Sequence, residues 1–79
     1  MDRLSDIRPG ERARITRLET RGSMRRRFSD IGMICGTEVE CVGKSPSGDP
    51  SAYLIRGAVI AIRSADLKDV YITRISEGI

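Results

Sequence analysis

Histidine is absent from this chain of 79 residues, and so is tryptophan. The first absence removes the commonest general base and a preferred transition-metal ligand together. Without it no Ser–His or Cys–His nucleophile pair can be built. Aromatic residues are limited to one Phe and two Tyr, so the interior has to be aliphatic. Two cysteines, Cys35 and Cys41, are too few for the disulfide framework of a small secreted domain. No apolar run approaches the ~20 residues that cross a bilayer. The start, Met1-Asp2-Arg3-Leu4-Ser5-Asp6, lacks the apolar stretch of a signal peptide. The expected location is the cytoplasm. Gly43-Lys44-Ser45 lacks the earlier glycine of a phosphate-binding loop and reads as a structural loop. A chain of 8.7 kDa holds one small domain with a thin core and little room for a deep cleft. Neither catalysis nor a resident cofactor is expected.

What is present is a charge asymmetry. Hydrophobic residues make up 39% and charged residues 32%, a composition that suits a folded soluble domain. The net charge is +3, yet residues 1–28 hold nine Arg against four acids, and the remainder is net negative. A basic half can meet nucleic acid, an acidic partner or an anionic surface. The overall charge is small for a dedicated nucleic-acid domain, so nucleic acid is not the expected partner.

Periodicity places five strands and one helix. Glu11 to Glu19 alternates as a strand, with Ala13 and Ile15 on one face, and the parity slips at Arg17-Leu18, where a bulge or bend is expected. Ser23 to Ile31 reads as a helix. Met24, Phe28 and Ile31 form one apolar stripe, Ser23 is the expected N-cap, and Gly32 the expected left-handed C-terminal cap. Thr37 to Val42 is the second strand, with Val39 and Cys41 inward and Glu38 and Glu40 outward. A turn-rich loop from Gly43 to Pro50 follows. Ala52 to Arg56 and Ala58 to Arg63 then form a tight hairpin about Gly57. Ser64 to Leu67 reads as one helical turn capped by Ser64, Val70 to Ile75 is the last strand, and residues 76–79 are expected to be a loose tail. The whole chain is one domain whose core spans about residues 4–75. A helix this short cannot stand alone in water and must pack on a sheet. Mostly β, with a bent antiparallel sheet closing into a small barrel and one short helix after the first strand, is the architecture that follows.

In this order the signals resemble the FeoA family. The stretches that carry the resemblance are Leu4-Ser5-Asp6-Ile7-Arg8-Pro9-Gly10-Glu11, Arg26-Arg27-Phe28-Ser29-Asp30-Ile31-Gly32-Met33, and Gly36-Thr37-Glu38-Val39-Glu40-Cys41-Val42. Pro46 with Gly48-Asp49-Pro50 comes next, then Arg56-Gly57 through Ala61-Ile62-Arg63 and Asp66 to Val70 and Ile72. The sequence departs from the family pattern at Cys35, where a Pro is usual, and at Leu67, where Ala is common. The resemblance implies an SH3-like β-barrel with Leu4, Ile7, Ile31, Val39, Ile62, Val70 and Ile72 in the core. It also implies a non-enzymatic adaptor of bacterial ferrous iron uptake. Its partner would be the cytoplasmic part of the FeoB membrane transporter with its GTP-binding domain.

The residues themselves offer few sites. Cys35, Glu38, Glu40 and Cys41 could only make a metal site if Cys41 turned outward, which strand alternation opposes, so no metal residues are assigned. Met33 and Ile34, apolar and just past a helix cap, are expected to be incompletely covered in so small a domain. With Arg25, Arg26 and Ser29 they make the candidate partner-binding surface, and the Ser47-Gly48-Asp49 loop is a possible extension. Arg12 and Arg14 are expected to face Glu38 and Glu40 across strands. Thin cores and exposed strand edges make self-association plausible. The alternative, from a different class, is a regulatory or nucleic-acid-binding barrel like the terminal domain of metal-dependent repressors. The scarcity of stacking aromatics beyond Tyr53 and Tyr71 disfavours it.

Overall fold

Alternation along the first long strand is broken once, and that break shapes the sheet. In the computed structural model, which describes residues 2–75, the strands are β1 (Asp2–Arg3), β2 (Arg12–Leu18), β3 (Glu38–Lys44), β4 (Ser51–Ile55), β5 (Ala58–Ile62) and β6 (Val70–Ile75). Ala13, Ile15 and Leu18 of β2 are buried, whereas Arg14, Thr16 and Arg17 are exposed. Against β6 the pairing steps from Ile15↔Ile72 to Arg17↔Tyr71, so Thr16 is the extra residue of a β-bulge. The bulge restores the inward direction of Leu18 and bends the strand. The expected irregularity therefore exists one residue earlier than Arg17-Leu18.

All pairings are antiparallel, in the order β1–β6–β2–β3–β4–β5. The sequence pattern yields five strands. The sixth, β1, is two residues long and lies on β6 where a lead-in was expected. Inward side chains from β2 to β6 and from the helix share one apolar cluster, so the sheet wraps around a single core. Hydrogen-bonded closure is not complete among the described residues, because β1 and β5 remain the two ends of the strand order.

Leu4, Ile7, Val39, Ile62, Val70 and Ile72 are buried as expected, and Ile31 is half-buried against the same cluster. Leu67, at a position where the family pattern favours Ala, is fully buried and contributes an extra apolar side chain to the core. Two expectations about exposure fail. Met33 is wholly covered, and Tyr53, expected to be available for stacking, is 1% exposed. The expected loose tail at 76–79 lies outside the described residues.

Helix α1 (Gly22–Asp30) packs Phe28 fully into the core, with Met24 against its edge. The expected Ser23 cap is not made, because the helix starts one residue earlier. Arg21 occupies the N-cap position without a side-chain bond. The other end is closed as the sequence predicts. Gly32 has φ +86°, its N–H donates to the carbonyl of Ser29 (3.0 Å), and the Met33 N–H donates to that of Phe28 (2.8 Å). This is the double bond of a Schellman cap, and it forces the chain to turn back, carrying Met33 inward. Ser64 likewise does not cap the turn at Ser64–Leu67. Arg63 holds the cap position, and the Ser64 N–H donates instead to Asp49 Oδ1 (2.9 Å).

Candidate functional site

The connection from α1 to β3 is built around a buried threonine. Thr37 Oγ1 donates to the carbonyl of Gly32 (2.9 Å) and accepts from the Ile34 N–H (3.4 Å), while the Thr37 N–H donates to the Ile34 carbonyl (3.0 Å). Gly36 N–H and the Thr37 carbonyl bond in turn to the carbonyl and N–H of Ile15 (2.7 and 2.9 Å). The loop after the helix is therefore held to β2 at one end and to the helix cap at the other. It presents Ile34, 46% exposed, from a fixed backbone. Thr37 was visible in the sequence only as a strand start, since nothing in its neighbours marks it as a loop clamp.

Of the candidate partner-binding residues, Arg26, Ser29 and Ile34 are exposed. Arg25 is exposed too, yet its guanidinium is committed: Nη1 donates to the carbonyls of Leu18 (3.0 Å) and Thr20 (3.3 Å), pinning the helix to the end of β2. Met33 does not belong to the surface, because the Schellman turn drives it into the core. The structure thus leaves Arg26, Ser29 and Ile34 exposed and removes Met33 from the surface. The Ser47-Gly48-Asp49 loop is exposed and braced from within. Ser47 Oγ donates to the Asp49 carbonyl (2.9 Å), and the Gly48 N–H donates to that of Ser45 (2.8 Å).

The basic first third of the sequence does not form one patch. Arg14 pairs with Glu38 (3.7 Å) and Arg17 with Glu19, all largely exposed. Such pairs contribute at most about 1 kcal/mol each. Arg12 and Arg14 do face Glu40 and Glu38 in the β2–β3 register. Arg3 lies over the Tyr71 ring at 5.7 Å. Arg74, from the last strand, gathers Asp2 (3.3 Å), Glu11 (3.9 Å) and the Asp6 carbonyl (3.2 Å).

Metal chemistry finds no assembled ligand set among the described residues, where no three His, Cys, Asp or Glu side chains converge. Cys41 is buried beside Val39, with its thiol directed at the Gly43 carbonyl (3.8 Å), and Cys35 is exposed on the loop. Glu38 is exposed on the opposite face, as alternation requires. Burial pushes the Cys41 thiol above its ordinary pKa, which disfavours the thiolate a metal would need. These residues do not fit a metal centre. No helix among the described residues is long and apolar enough to cross a membrane.

Comparison with known proteins bears on the fold and on relatedness. A fusion of Fe(2+) transport protein A and Fe(2+) transporter FeoB from Porphyromonas gingivalis is 32% identical over 76 residues, 96% of this chain. The chain spans only 9% of that protein's length. The solution structure of iron(II) transport protein A from Clostridium thermocellum superposes with a TM-score of 0.88 at 31% identity, over 94% of this chain and 46% of that one. The zinc complex of Stenotrophomonas maltophilia FeoA, described as a prokaryotic SH3 domain protein, superposes at 0.79 over 92% of this chain and 91% of that one. At 23% identity it shows the fold alone, which is SH3-like. A manganese-dependent transcriptional repressor matches at 0.81 and 16% identity over 92% of this chain and 40% of its own, again a likeness of fold. The FeoA domain model matches residues 3–74, and the chain therefore belongs to the FeoA family.

Proposed function

We propose that this chain is an accessory domain of ferrous iron uptake that docks on the cytoplasmic part of a FeoB-type transporter. Binding would favour one of the transporter's states over the others. The observation that carries this reading is the fused relative, in which a region like this chain shares one polypeptide with a FeoB transporter. Covalent joining by a short flexible linker holds two domains at effective concentrations on the order of millimolar, which suits a pair that works in contact. Iron is the transporter's cargo in this reading, and the accessory domain itself needs no ligands for it.

The docking face in this reading comprises the exposed Arg26 and Ser29 of the helix and Ile34 of the loop that follows it. Arginine is enriched among the residues that dominate protein interfaces, and Ile34 adds an exposed apolar side chain on a fixed backbone. The test is titration of the purified chain against the soluble cytoplasmic domain of the transporter from the same organism. Wild-type protein should bind, and Ile34→Asp and Arg26→Glu should each weaken binding by about tenfold or more, a loss of roughly 1.4 kcal/mol. Absence of binding both to that domain and to the full transporter in membranes would refute the reading. The repressor-like alternative gains nothing from the surface. Phe28 and Tyr53 are buried and Tyr71 lies under Arg3, so no bank of stacking aromatics is on offer.

A further inference from the structure

Arg56 sits where an arginine is costly. The two-residue turn Arg56-Gly57, with φ +49° and +87° and closed by the Ile55↔Ala58 pair, is a type I′ hairpin between β4 and β5. Both central positions of that turn need the left-handed region, which glycine, asparagine and aspartate supply at least cost. Gly57 meets the demand. Arg56 is, among the described residues, the one residue other than glycine with a positive φ. A strained position of this kind persists where its side chain has a use.

Inside the domain the side chain does not offset that strain. Its stem runs across Gly32, where an added Cβ would collide with Arg56 Cδ and stand 3.0 Å from Nε. The residue is exposed, and among the described residues no hydrogen bond or ion pair holds its guanidinium. Glu38 and Glu40 line the same pocket as Arg56, together with Arg12. Glu38 pairs with Arg14, however, Glu40 stands opposite Arg12 in the strand register, and neither bonds to Arg56. The helix end beside Gly32 is already served by a cation of its own. Arg27 lies in the last turn of α1 and borders the groove between α1 and β5.

What the stem does is carry a cation to the docking loop. The Gly32 carbonyl accepts from the Ile34 N–H (3.1 Å) and from Thr37 Oγ1 (2.9 Å), so Arg56 lies against the clamp that presents Ile34. We infer that Arg56 is a contact residue of the docking face, reaching it from the hairpin across Gly32 to donate to acceptor oxygens of the partner. A guanidinium offers five N–H donors and no acceptor, so a carboxylate or an exposed carbonyl is its complement. Asparagine would suit the turn better and is too short to reach as far. This inference rests on the docking reading above and adds to that face a residue from a separate pair of strands.

The test measures stability and docking on the same variants of the whole chain, with the soluble cytoplasmic domain of the transporter from the same organism as partner. Arg56→Asn should raise Tm by about 2–6 °C, because Asn-Gly is the preferred pair for this turn. It should nevertheless weaken binding by about tenfold or more. That opposition of sign is the diagnostic readout, since a structural arginine loses stability when replaced. Arg56→Gln keeps a stem over Gly32 and the strained backbone without the charge, and should bind as weakly as Arg56→Asn. Wild-type affinity in Arg56→Gln would assign the role to the stem and overturn the inference. A lowered Tm in Arg56→Asn, or unchanged binding by it while Ile34→Asp binds weakly, would also overturn it and leave the docking reading intact. If the wild-type protein binds neither the soluble domain nor the full transporter, that reading fails and this inference with it.

Discussion

Met33 and Ile34 are neighbours of similar size and polarity, and the fold gives them opposite duties. Met33 is wholly buried, and its N–H closes the helix cap on Phe28; Ile34 stands 46% exposed on the loop that Thr37 clamps. Truncating a buried Met to Ala costs about 2–5 kcal/mol. A domain of 79 residues has a total stability on the order of 4–12 kcal/mol. Met33→Ala should therefore remove a large share of it and lower Tm by roughly 8–40 °C, at about 4–8 °C per kcal/mol for this size. Met33→Asp, which buries an unpaired carboxylate, should prevent folding altogether. Ile34→Ala and Ile34→Asp should stay within about 0.5 kcal/mol of the parent, as surface changes do. Thermal denaturation followed by circular dichroism reads all four. Partner titration on the folded variants then separates folding from docking. A Met33→Asp protein that melts like the wild type would show that Met33 is a surface residue and that the inward turn after Gly32 is wrong. An Ile34→Asp protein that fails to fold would refute the other half.

Two further outcomes follow from local geometry and from burial. Gly32→Ala should cost about 1–2 kcal/mol for its left-handed backbone, plus a smaller amount for displacing Arg56. In a double-mutant cycle by urea denaturation, Arg56→Ala should recover only the smaller part, and full recovery would show that backbone strain is not the cause. Burial raises the pKa of both Tyr53 and Cys41, so each favours its neutral form in the folded state. Below their unfolded values the two states bind protons equally. Above them the unfolded chain ionises first, and stability falls with rising pH, starting near about 8.5 for the thiol and about 10 for the phenol. Tyr53→Phe combined with Cys41→Ala should flatten that alkaline slope, and an unchanged slope would place its origin elsewhere.

Most of the fold is legible in the alternation of a few aliphatic residues. Ala13 and Ile15, Val39 and Cys41, and Val70 and Ile72 point inward because each pair shares a parity, and Leu18 shows the bulge by breaking it. Gly32 announces its cap because only a residue without a Cβ turns left-handed cheaply. The helix start departs from the serine cap that the sequence suggests, because Arg25 anchors that end by reaching back to Leu18 and Thr20. Such a contact joins residues five and seven apart and leaves no periodic trace. Strand β1 is equally silent, since two residues cannot display an alternation. For Met33 the failure has a sharper cause. Composition marks it as apolar, but the direction it takes depends on the Schellman bonds and on the Thr37 clamp, both of which are three-dimensional.

The arginine excess of the first 28 residues shows why charge counts mislead in small barrels. Strand alternation sends Arg14 and Arg17 to the outer face, where each meets an acid. The helix turns Arg25, Arg26 and Arg27 through about 100° each, so one reaches back to the β2 end, one faces solvent and one borders the β5 groove. An apparent basic run is thereby divided into single charges with separate surroundings. What survives as recognition chemistry is local: Arg26, Ser29 and Ile34 lie exposed on the helix and the loop after it, and Arg27 lines the groove between the helix and β5. A long polyanion would have to span these separated charges, whereas a folded partner needs only one group of them. The arrangement of the charges, more than their number, therefore fits the proposed protein partner better than a polyanion.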